Sequence, residues 1–154
     1  MLQKLLVERF QLAFHREQKV FSIYELEVAK GGPKLKASAA AKDEPAALIS
    51  TVYPQKVVLP ARNATMGDLA SLMQRAMLDR PVVDKTGLSG RWDFDLTWAP
   101  DETQFGGELT PASADAPSPP LFTALQQELG LKLVATRGPV AAIVVDRAEH
   151  PTAN

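Results

Sequence analysis

Cysteine is absent from the chain, which excludes thiol nucleophiles, disulfides and thiolate-held zinc, while fitting a reducing or an oxidising compartment equally well. Histidine is scarce: His15 and His150 are the only two, and no H-E-x-x-H or comparable cluster offers a zinc ligand set. An excess of one charge is also missing. The 17 basic and 18 acidic residues leave a net charge of −1, which removes the long-range attraction on which non-specific binding to nucleic acid or an anionic membrane depends. No apolar run approaches the roughly 20 residues needed to span a bilayer. The opening MLQKLLVERF is broken by charge and lacks the continuous apolar stretch of a secretory signal. These absences predict a soluble chain that neither binds nucleic acid nor inserts into a membrane, and that carries no targeting signal of its own.

What is present is an ordinary globular balance, 45% apolar and 23% charged over 154 residues, enough for one domain spanning 1–154. The segments LQKLLVERFQLAFHREQKVFSIYELEV and LFTALQQELGLKLVATRGPVAAIVVDR align without a gap. Each reads as a short helix running into alternation, then a turn, then a second apolar strand, Phe21 to Val28 in the first and Val140 to Val145 in the last. A middle version opens at Thr65, whose spacing to Asp68 is a capping-box signal. Leu69, Leu72, Met73, Ala76 and Met77 follow at the i, i+3, i+4, i+7 spacing of a buried helix face, and Arg80-Pro81 ends that helix. A strand from Pro81 to Asp84, the turn TGLSG and a strand from Arg91 to Trp98 complete the unit. There Trp92, Phe94, Leu96 and Trp98 alternate with polar residues, the pattern of a half-buried strand. A third helix is expected from Ser118, with Pro119 and Pro120 in its first turn and Phe122, Leu125 and Leu129 on its inner face. The predicted fold class is α+β: repeated helix–strand–strand units over about 1–29, 55–98 and 118–147, three helices on one face of a mixed or antiparallel sheet, and long loops over 30–54 and 99–117.

The runs RPVVDKTGLSGRWDFDLTW, LLVERFQLAFHRE, YELEVAKGGPKLK and LGLKLVATRGPV together resemble a large family of uncharacterised bacterial proteins expanded in soil acidobacteria. The resemblance spans nearly the whole chain. Members of that family usually carry an export signal and a further N-terminal segment, so the resemblance implies an exported or periplasmic origin, against the cytoplasmic one expected from this chain alone. It brings no settled activity. The helix–strand–strand pattern is also similar to the short N-terminal domains of secretins and TonB-dependent receptors, which implies protein docking or packing into rings.

Candidate chemistry is sparse. Asp93 and Asp95 project from one strand face, Asp84 ends the neighbouring strand, and Asp101 and Glu102 follow. Several carboxylates at one corner suit a hard divalent cation such as calcium, which would activate water or an ester carbonyl; the plainer reading is a solvated face on which Arg91 pairs with Asp93. His15, with Asp93, is the candidate acid–base group, set against a partly exposed strand histidine. Ser89 in G-L-S-G fails the nucleophile-elbow spacing and reads as a turn, and Gly31-Gly32-Pro33 among Lys30, Lys34 and Lys36 reads as a solvated basic loop. Trp98, beside the 99–117 loop, is the aromatic expected to meet a ligand or partner. Two functions follow. One is a non-catalytic module for homo-oligomerisation or for docking an envelope protein, through edge-strand pairing. The other is a metal-assisted hydrolase of small esters or lactones, N-acyl-homoserine lactones included.

Overall fold

The longest regular stretches lack helix-period patterning and run as strands. The computed structural model describes residues 10–41 and 43–149, and 44% of the described residues are strand against 18% helix. They divide into two compact units, Met1–Phe21 with Arg137–Asn154, and Ser22–Thr136.

Two strands are common to both units: β1 (Ala13–Val28) and β8 (Leu131–Arg147). In the first unit they form an antiparallel two-stranded ribbon, in which the Glu149 N–H reaches the Phe10 carbonyl at 2.8 Å. In the second unit β1 also pairs in parallel with β6 (Val82–Asp84), Tyr24 facing Val82 and Leu26 facing Asp84, giving the order β6-β1-β8.

The second unit holds a further sheet, entirely antiparallel, ordered β2 (Lys36–Ala37), β7 (Trp92–Trp98), β5 (Lys56–Ala64) and β3 (Ala47–Leu48), with β4 (Thr51–Tyr53) also on β5. Pro60 falls where β4 hands over to β3, between the pairs Val58–Thr51 and Ala61–Leu48, so no ladder bond to those strands asks for its missing N–H. Two short helices cover the interior. Helix α1 (Met66–Leu72) winds on as a π turn over Met73–Met77. Helix α2 (Leu121–Ala124) likewise continues over Leu125–Leu129 and stops at Gly130, whose φ of 65° is the left-handed C-cap position. Leu26, Leu59, Leu69, Met73, Leu96, Trp98, Leu125 and Leu131 pack together out of contact with water.

The α+β expectation of three helices on one sheet is therefore wrong: the described residues are mostly β, with two sheets and, from Ala13 on, two short helical stretches besides one 3₁₀ turn (Phe105–Gly107). The first predicted helix falls almost wholly on residues 1–9, which lie outside the described ones. Among the described residues the first and last segments each run as one long strand, and the middle segment differs from both. The turns expected before Phe21 and before Val140 do not form, and each strand runs straight through, because the backbone of the polar run His15–Lys19 is paired in the ribbon. Pro139 survives inside β8 because β8 is an outermost strand, where a missing N–H is tolerated. In the middle segment β6 and β7 join different sheets. The third helix begins at Leu121, with Pro120 at its N-cap rather than in its first turn. Its inner face is thereby Leu121, Ala124, Leu125 and Leu129, while Phe122 turns outward at 37% exposure and meets the edge of Tyr24 at 5.6 Å.

Candidate functional site

The capping box read at Thr65 is made in full. The Thr65 hydroxyl accepts from the Asp68 N–H and the Asp68 carboxylate accepts from the Thr65 N–H. Just before it β5 carries a bulge: Ala61 pairs with Phe94 and Ala64 with Trp92, so Arg62 and Asn63 together oppose Asp93. Asn63 absorbs the extra residue at φ 53° and is buried. Asparagine is among the few side chains that take this conformation at low cost. Its N–H donates to Asp93 Oδ1 at 2.9 Å, and its Nδ2 donates to the carbonyls of Ala41 and Glu44 at 3.1 and 2.6 Å. Its own carbonyl accepts from Arg91 Nη1 at 2.8 Å. One buried residue thus ties the bulge to the 41–44 loop and to both polar residues flanking Trp92.

This arrangement occupies the acidic corner. The bond from the Asn63 backbone, then one from the Ser38 hydroxyl and the nearby Arg62 and Lys36 charges, hold the Asp93 carboxyl below the usual aspartate range. Asp95 pairs with Arg62 at 2.9 Å. Asp84 accepts from the N–H and hydroxyl of Thr86, and Asp101 from Thr103 and from Gln104 Nε2 at 2.8 Å. Glu102 is exposed. Among the described residues no three of His, Asp and Glu stand together as a metal-binding group. Arg91 and Asp93 both turn to Asn63, in place of the expected pair with each other. Ser89 lies in the irregular segment between β6 and β7, and Lys34 caps the carbonyl of Gln127 at 2.8 Å.

Histidine 15 lies in the ribbon unit. Its Nδ1 is 2.9 Å from Asp146 Oδ2, and Glu17 stands 3.6 Å from Nε2. The hydrogen bond and charge of Asp146, then those of Glu17, raise its pKa above the ordinary imidazole value. His150 lies outside the described residues. Trp98 is not a contact residue: it is fully buried, its indole N–H donates to Gln104 Oε1 at 2.7 Å, and its ring stacks on Phe105 at 6.5 Å.

The ribbon presents a different kind of surface. Val20, Phe21, Ile143 and Val145 are all exposed, Ile143 and Val145 at 57% and 56%. Ile143 and Val145 are two residues apart and so share one face of β8. Three pairs of side chains join within the ribbon: Lys19 with Glu17 at 2.8 Å, His15 with Asp146, and Arg147 with Glu149.

Residues 1–148 match the family described as protein of unknown function DUF3738. The chain belongs to that family. No curated protein and no solved structure matches it. DUF3738 supplies no established catalytic roles, so its groups must be read from their surroundings. Asn63 and Gln104, the buried polar residues of this DUF3738 chain, went unnoticed in the sequence. Asn63 had one signal, an asparagine two residues before a helix cap. Gln104 had none, because its partner Trp98 is placed by the sheet.

Proposed function

We propose that this chain is a non-catalytic association module that joins a second copy of itself through the open edge of β8. The observation that carries this reading is an outermost strand of 17 residues whose apolar run, Val140 to Val145, leaves Ile143 and Val145 more than half exposed. Among the described residues no strand pairs with the far side of β8. A two-stranded ribbon is marginal in water, and further strands are what make such a structure stable. An exposed apolar edge of this length is a template for strand addition. A second copy fits because Asp146, Glu17 and Glu149 are each already held by a basic side chain of the same ribbon, which leaves the apolar pair Ile143 and Val145 as the feature the edge offers a partner.

Light scattering across a concentration series tests this. The native chain is expected to reach a dimer mass, and the double change Ile143→Lys with Val145→Lys, at exposed positions, to return it to a monomer with unchanged circular dichroism. A native chain that stays monomeric at high concentration, or a lysine variant that still dimerises, refutes the reading.

A further inference from the structure

We propose that the cleft at the start of β7 binds a small organic carboxylate with a flat apolar body. The cleft has a volume of about 550 Å³ and is walled by Ala37, Ser38, Ala40, Thr65, Ser89, Gly90, Arg91 and Trp92. That volume lies within the range of small-molecule sites. It opens beside the Asn63 bulge, where a buried polar residue at positive φ is held by four hydrogen bonds. Such over-determined backbone concentrates at binding sites.

Two features of the wall define the ligand. The indole N–H of Trp92 is shielded from solvent and has no acceptor among the described residues. Buried indole donors ordinarily find one, and Trp98 in the same strand does. Beside it, Arg91 donates through Nη1 to the Asn63 carbonyl and forms no ion pair among the described residues. The hydroxyls of Thr65 and Ser38 are turned to Asp68 and Asp93. The wall therefore offers a cation without an ion pair among the described residues and no carboxylate among its lining residues, with the Trp92 N–H beneath the solvent-accessible surface beside it. A guanidinium fork matches the planar geometry of a carboxylate. Ala37, Ala40 and the Trp92 ring supply the apolar contact, so an anion without an apolar body satisfies only half of the site.

The test uses the full chain and benzoate as probe, with benzamide as the same body without charge and inorganic phosphate as charge without the body. The two tryptophans give two indole N–H resonances in a nitrogen–proton correlation spectrum, assigned with Trp92→Phe. Benzoate is expected to move the Trp92 resonance saturably, in the roughly millimolar range set by its size, and to leave that of Trp98 in place. Benzamide and phosphate are expected to bind at least about tenfold more weakly, as is benzoate to Arg91→Lys, each having lost a charge-assisted or forked contact. Should Arg91→Lys disturb the bulge, Ala40→Phe decides, since Ala40 makes none of the bonds to Asn63; filling the cleft is expected to abolish the shift. An unmoved Trp92 resonance, equal shifts from benzamide, or undiminished binding by Ala40→Phe overturns the proposal.

Discussion

Asn63 shows how much one side chain organises here. It combines a left-handed backbone, two side-chain bonds to the 41–44 loop and two backbone bonds to Asp93 and Arg91. Asn63→Ala removes the loop bonds and also forces a Cβ-bearing residue without a polar tip into positive φ, so a loss of about 3 kcal/mol is expected. Asn63→Gly removes the same bonds but accepts the conformation, and is expected to cost only about 1–2 kcal/mol. Urea denaturation distinguishes the two contributions. If glycine proves as damaging as alanine, the backbone conformation is not what asparagine is there to supply. Gly130, at the end of α2, illustrates the opposite constraint: a Cβ there would sit 2.2 Å from the Gly32 carbonyl oxygen, a contact no packing adjustment of side chains relieves.

At the scale of elements, the helices were the easiest to locate and the hardest to size. The box at Thr65 and the apolar spacing from Leu69 to Met77 are local signals, legible because a cap and a 3.6-residue period are written in adjacent residues. Thr65→Ala is expected to destabilise the second unit by about 1 kcal/mol, measured by thermal melting, because the Asp68 N–H and the Asp68 carboxylate each lose the Thr65 hydroxyl. An unchanged melting point would show that tertiary packing, not the cap, holds that end. The strand β7 was also legible: its period of two buries Phe94, Leu96 and Trp98 as the alternation requires. The long strands were not. A polar stretch such as His15–Lys19 looks like a turn from its composition, and only its pairing in the ribbon makes it strand.

At the scale of the whole molecule, the two units differ in kind. The second encloses an apolar core of leucines, methionines and Trp98, while the ribbon of the first keeps Val20, Phe21, Ile143 and Val145 in contact with water. Amides in the second unit's core strands β5 and β7 are therefore expected to exchange slowly with deuterium, and those of 140–147 to exchange fast in dilute solution. On raising the concentration the 140–147 amides alone are expected to gain protection if copies pair along β8. Mass-resolved hydrogen exchange reads both, and protection of 140–147 that is already complete in dilute solution would contradict the exposed-edge account.

What the sequence determined by itself was local: the cap at Thr65, the buried face of the helix after it, the alternation from Trp92 to Trp98, and a composition without thiols or a cationic surplus. Each depends on residues within a turn or two of one another, where spacing alone sets which way a side chain faces. The tertiary structure decided the rest. It separated the strands into two sheets, gave the Trp98 indole its buried acceptor Gln104 and left the Trp92 N–H without one among the described residues. It also bound Asp93 to a bulge, in place of a cation corner. Those outcomes depend on which distant backbone pairs with which, and a single residue of register, as at Asn63, decides whether two side chains meet.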